Sequence, residues 1–155
     1  MKKTLSLLCC LIAISGNYFS QVNAQVTIRS TTAVSNSPVK TLVGINGNIS
    51  IGGGGAPYST SGAVNTFVGY GAGQVNTTGQ HNTFLSMAGY RNTTGYENTF
   101  AGYNAGSQNV AGNYNTSLGA GAGAYNNNDG NVFLGAYTSH YTNGSGNIHI
   151  GMHSA

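Results

Sequence analysis

The chain is 155 residues long, carries charge on only 5% of them, and holds 25 glycines and ten tyrosines with no tryptophan. A formal net charge of +3 spread this thinly makes no electrostatic footprint for nucleic acid or an anionic membrane. Two acidic residues and two cysteines in the whole chain do not supply the acid, base and nucleophile sets that catalysis assembles, so neither an enzyme nor a cofactor is expected.

Residues 1–24 read as an export signal. Lys2 and Lys3 precede an apolar run from Leu5 to Ile14, and Val22-Asn23-Ala24 offers a small-residue cleavage site before Gln25. That run is shorter than the roughly 20 apolar residues a spanning helix needs, and no later segment is longer. The expected product is secreted or held at the cell surface in association with the outer membrane, with no membrane span of its own. Both cysteines, Cys9 and Cys10, leave with the signal, which removes disulfide and thiol chemistry from the mature chain. Leu8 stands where a lipoprotein would place a small residue. The mature chain keeps Arg29, Lys40 and Arg91 against Glu97 and Asp129, a net charge of 3 − 2 = +1.

Residues 25–47 alternate loosely and contain Pro38, the pattern of an extended lead-in. Thr41 to Gly47 is expected to cap the exposed edge of the first coil of the repeat region.

From Asn48 to the end the sequence repeats one phrase: "NTFVGYGAG" at Asn65, "NTFLSMAG" at Asn82, "NTFAGYNAG" at Asn98, "NTSLGAGAG" at Asn115. Copies begin at Asn48, Asn65, Asn82, Asn98, Asn115, Asn131 and Asn147, spaced by 17, 17, 16, 17, 16 and 16 residues. So steady a period indicates stacked structural units. The fold class is all-β: a parallel β-roll or solenoid of about seven coils over residues 48–155, each coil a short strand, a bend, a short extended piece and a turn. At about 4.8 Å per coil, seven coils make a rod of roughly 35 Å.

Three columns define the expected strand. Thr66, Thr83, Thr99 and Thr116 follow the Asn, and Val68, Leu85, Ala101, Leu118 and Leu134 come two residues later; both columns are expected to face inward. The column between them, Phe67, Phe84, Phe100 and Phe133, is then expected on the outer face, as a binding column or as the seam where copies of the chain cover one another. Gly52, Gly69, Gly102, Gly119, Gly135 and Gly151 close the strands, with Ser86 as the exception; they read as structural bends. The leading Asn of each unit suits a ladder along the stack.

At these residues the chain resembles the head repeats of YadA-like trimeric autotransporter adhesins, and closely similar phrases occur in tail-spike-like proteins with a chaperone tip. The adhesin resemblance implies a left-handed parallel β-roll, a homotrimer at the bacterial surface, and adhesion to extracellular matrix or other cells through the outer faces. Neither a heptad stalk nor an anchor barrel nor a chaperone domain is legible in these residues.

The remaining candidates are weighed on chemistry. His149 and His153, near His140, and the turn "NNNDGN" at Asn126 lack the spacing and carboxylates of a metal site. The glycine run from Gly52 to Gly55 lacks the Lys-Ser/Thr of a phosphate loop. Tyr70, Tyr90, Tyr103, Tyr125 and Tyr137 fall at corners and turns, where rings with polar tips can contact a glycan or protein partner or cover the roll's edges. Adhesion through the outer faces is the leading reading; a spacer or shaft with no ligand is the alternative. Ice binding by the Thr column is weakened by the expectation that this column shares a buried face.

Overall fold

The computed structural model describes residues 40–43, 45–53, 61–139, 141 and 143–154. The expected export signal, most of the lead-in, His140 and part of the glycine run lie outside them. One sheet contains eight strands in chain order: β1 (Lys40–Val43), β2 (Ile49–Gly52), β3 (Thr66–Val68), β4 (Thr83–Leu85), β5 (Thr99–Ala101), β6 (Thr116–Leu118), β7 (Val132–Leu134) and β8 (Ile148–Ile150). From β2 to β8 every neighbouring pair is parallel, so the chain advances one strand per coil and builds a solenoid of about six turns.

The register follows the repeat. Thr66 pairs with Thr83, Thr83 with Thr99 and Thr99 with Thr116, while Val68, Leu85, Ala101 and Leu118 form the file two residues on. Strand β1 breaks the pattern by pairing antiparallel with β2, Lys40 opposite Gly52 and Val43 opposite Ile49. A single 3-10 turn, Ile45–Gly47, reverses the chain between them. The edge of β2 that has no preceding coil is therefore covered, as a parallel stack requires to avoid open-edge pairing.

The strand phase is the reverse of the sequence expectation. Phe67, Phe84, Phe100 and Phe133 are fully buried inside the coils, and the flanking residues face outward: Leu85 is 40% and Leu118 39% exposed. Phe therefore forms neither an outer binding column nor a seam between chains. The reason is the Asn two residues earlier. Asn65, Asn82, Asn98, Asn115 and Asn131 are themselves buried, and residues i and i+2 of a strand share a face, so a buried Asn places the Phe inside as well. Burying a Phe contributes about 1.5–3 kcal/mol, and stacking adds to it: ring centroids lie 5.3 Å apart for Phe67 and Phe84 and 5.0 Å for Phe84 and Phe100.

The opposite wall is the Ala-Gly pair. Ala72, Ala88, Ala105 and Ala122 are fully buried. The glycine after each gives the ring its space: a Cβ on Gly73 would stand 2.6 Å from Phe67 Cε1. The post-strand glycines bend as expected, and at Gly69 the demand is double, since φ is +121° and a Cβ would meet Ser86 Cα at 2.7 Å. Ser86 itself holds φ at 70°. Its coil is one residue shorter at this corner, with two steps from Ser86 to Ala88 where Gly69 to Ala72 takes three.

Two files of carboxamides flank the Phe and Ala core. In the first, the backbone N–H and Nδ2 of Asn82 both donate to Asn65 Oδ1, at 2.9 and 3.1 Å, and Nδ2 also donates to the Gly95 carbonyl at 2.8 Å. Asn98 repeats this on Asn82 and Gly112. Buried amides in apolar surroundings must be paired, and here each coil pairs those of the next. The second file, Asn76, Asn92 and Asn109, links Asn92 Nδ2 to Asn76 Oδ1 at 2.8 Å and Asn109 Nδ2 to Asn92 Oδ1 at 3.0 Å.

That second file ends at the coil containing β6. There the turn reads Asn126-Asn127-Asn128-Asp129-Gly130, and Asn126 lies five residues before the next ladder Asn, where Asn76, Asn92 and Asn109 lie six before theirs. Asn126 Nδ2 turns to Asn115 Oδ1 and the Asn128 carbonyl, and Asn109 Oδ1 is left buried without a partner. Ser117 replaces Phe on the same floor, and Phe133 from the next coil closes on Gly123 beside it.

Candidate functional site

With Asn, Phe and Ala consumed by the interior, function falls to the outer surface, which has two distinct parts. The first is the strand face. Its Thr file, set in single register, lies outward beside Ile49, Ile51, Leu85 and Leu118, all about two-fifths exposed or more. The ground for setting ice binding aside, a buried Thr column, does not hold. A different feature of the face bears on it: the aliphatic file runs Val68, Leu85, Ala101, Leu118, Leu134, so its height steps from coil to coil. A stepped apolar surface suits packing against side chains better than a flat lattice.

The second part is the corner after the strands. Here the coil bearing β6 carries only Ala120 and Gly121 where the coil before it carries Tyr103 and Asn104 and the coil after it carries Ala136 and Tyr137. The missing side chains open a groove of about 290 Å³ between Tyr103 and Tyr137, at the small end of the range for small-molecule clefts. Met87, Tyr90 and Tyr125 also line it, and Asn104, Ser107 and Gln108 bring polar side chains to its wall. None of the residues lining it carries a charge at neutral pH.

The groove is held by backbone rather than by side-chain luck. Gly121 N–H donates to the Tyr103 carbonyl at 2.8 Å, Tyr137 N–H to the Ala120 carbonyl at 2.7 Å, and Gln108 N–H to the Ala124 carbonyl at 2.8 Å. Tyr137 is braced from both neighbouring coils. A Cβ on Gly121 would stand 2.6 Å from Tyr137 Cδ1, so the ring lies down on the glycine, and the His153 ring stacks on it with centroids 5.5 Å apart. Tyr125 stacks on Tyr141 at 4.8 Å. Tyr103, by contrast, is 59% exposed.

Of the five tyrosines that the sequence singles out, the structure brings Tyr90, Tyr103, Tyr125 and Tyr137 together and leaves Tyr70 apart, over Gly53 on the second coil. Sequence reading did not pick out Asn104, Ser107, Gln108 or Met87. The signal for them was the run Ala120 to Ala124, an all-small floor between tyrosine-bearing ones. His149 packs edge-on against Phe133, centroids 5.7 Å apart, and among the described residues no three His, Cys, Asp or Glu side chains gather. Asp129 and Asn127, both exposed, tie one coil to the next: Asp129 Oδ1 accepts from the Asn113 backbone at 2.7 Å, and Asn127 Oδ1 accepts from the N–H groups of Val110 and Ala111. No described helix is long and apolar enough to cross a membrane.

No family model, curated protein or solved structure matches the chain. The functional reading therefore rests on this surface.

Proposed function

We propose that the chain is the exported binding head of a bacterial surface adhesin, a rigid β-solenoid that presents its outer faces to a partner and works as a homotrimer. The observation that carries the reading is the rank of half-exposed tyrosines along one corner of a scaffold whose interior polar groups are almost all paired with one another. Large amphipathic rings on a rigid support give contact area at little cost in conformational entropy. The outward strand face, with its stepped aliphatic file, supports self-association, since an apolar surface of this extent on an isolated chain favours a second copy. This replaces the Phe column as the seam.

Binding of the purified mature chain to a panel of matrix proteins and glycans tests the adhesive role, with light scattering to give the oligomeric state. Saturable binding lost on substitution of the corner tyrosines supports it. The alternative, a spacer of a spike-like protein with no ligand of its own, is favoured by the regularity of the stack, and a panel without any saturable binding would establish it in place of the adhesin.

A further inference from the structure

We infer that the groove between Tyr103 and Tyr137 is a binding site for neutral glycans, an assignment that rests on the adhesive reading and gives it a ligand class. Three features point to the chemistry. A pyranose ring has an apolar face edged by hydroxyls, and Tyr103 offers an exposed aromatic face to receive it. Asn104, Gln108 and Ser107 supply carboxamides and a hydroxyl, which both donate and accept, as sugar hydroxyls require. Finally, the lining has no Lys, Arg, His, Asp or Glu, so a sulfated or carboxylated ligand would bring a charge that nothing there answers.

The groove is preformed as well as suitable. It spans the coils from Tyr90 to Tyr137, three coil spacings or roughly 14 Å at about 4.8 Å each, which lets a linear oligosaccharide lie along the stack. Its floor is backbone tied coil to coil, and Tyr137 is clamped between Gly121 and His153, so binding orders little that is not ordered already.

The test uses the full mature chain on immobilised neutral oligosaccharides (cellohexaose, chitohexaose, linear galactan) beside heparin and polygalacturonate, with unglycosylated matrix protein on the same plate. Because the chain has no tryptophan, tyrosine fluorescence reports occupancy in solution. Expected is saturable binding to at least one neutral oligosaccharide, with a fluorescence change, weakened tenfold or more in Tyr103→Ala and retained in Tyr103→Trp. Tyr137→Ala, which removes the facing wall of the groove, should weaken it likewise, and circular dichroism spectra like wild type for both alanine variants show that the effect is local. Binding confined to unglycosylated protein, or glycan binding indifferent to Tyr103→Ala, overturns the glycan site while leaving the adhesin intact. Preference for the anionic polymers also overturns it, and silence on every surface overturns both.

Discussion

Phe100 lies against Gly106: a Cβ built on Gly106 would stand 2.5 Å from Phe100 Cε2, and the glycine holds φ at +55°. The two residues belong to one coil and close it across its interior, so the phrase "F…AG" is a single packing unit. Gly106→Ala should cost about 2–4 kcal/mol, combining overpacking with a left-handed conformation. Phe100→Ala should cost about 3–5 kcal/mol by opening a cavity. Because the new methyl partly fills that cavity, the double variant should lose less than the sum of the singles. Urea unfolding of all four proteins measures the coupling, and strict additivity would show that ring and glycine do not meet.

Asn98 donates three hydrogen bonds in the buried ladder, two of them through Nδ2, and its Oδ1 accepts a fourth from the Asn115 backbone N–H. Asn98→Asp keeps the shape but removes both Nδ2 bonds and sets a carboxylate against Asn82 Oδ1 and the Gly112 carbonyl, which keep only the Asn98 backbone N–H and Asn109 Nδ2 as donors. At about 0.5–1.5 kcal/mol for each hydrogen bond lost, and more for a buried charge, the variant should lose several kcal/mol at neutral pH and recover part of it as acid protonates the new carboxyl. Chemical denaturation at neutral and acid pH checks both halves.

The period, the register and the bends were legible because a stack demands the same backbone on every floor; the steady return of Asn and of the post-strand Gly gave β2 to β8 their pairing. The inward face was misread because a three-residue strand offers too little alternation to settle its own parity. Counting the Asn as part of the strand settles it: once Asn65 is buried, Phe67 must be. Four Thr in the flanking column argue the same way. The groove was only half legible, since Tyr103 and Tyr137 are visible in the sequence but the gap between them exists only after coils 17 and 16 residues long are superposed.

Leu85 and Leu118 lie outward in the file two residues after the Thr column. Leu85→Asp with Leu118→Asp should therefore leave the coil's own fold intact, with a far-ultraviolet spectrum like wild type, while removing the apolar contact that holds copies together. Light scattering should show a trimer in wild type and a folded monomer in the double variant. Unfolding of the monomer would show that the seam supplies stability the coils lack; a wild-type monomer would end the trimer proposal.

Val64 precedes the buried ladder residue Asn65 with φ at 56°, a region that β-branched residues rarely enter, and Gly130 holds the same place before Asn131 at φ 68°. Val64 is 54% exposed, so little packing is lost on replacing it. Val64→Asn should raise stability by about 1 kcal/mol, the approximate cost of a left-handed L residue. Thermal melting compares it with Gly130→Val, which should lower stability by a similar amount.

Tyr114 stands edge-on to Tyr96, ring centroids 5.1 Å apart. Its phenol is pushed up to about 12, first by its hydrogen bond to Tyr96, then by repulsion from the Tyr96 phenolate, desolvation, and the charges of Glu97 and Asp129. The folded value lies above the ordinary tyrosine value of about 10, so folding favours the protonated phenol. That contribution is fully present below pH 10, falls as pH rises from about 10 to about 12, and is gone above it. The stability difference between wild type and Tyr114→Phe should thus be flat below pH 10 and shrink across the next two units. Phenolate absorbance gives an independent measure: subtracting the variant's titration from that of wild type should leave one phenol titrating near 12. A residual near 10 would show that the two rings share no proton.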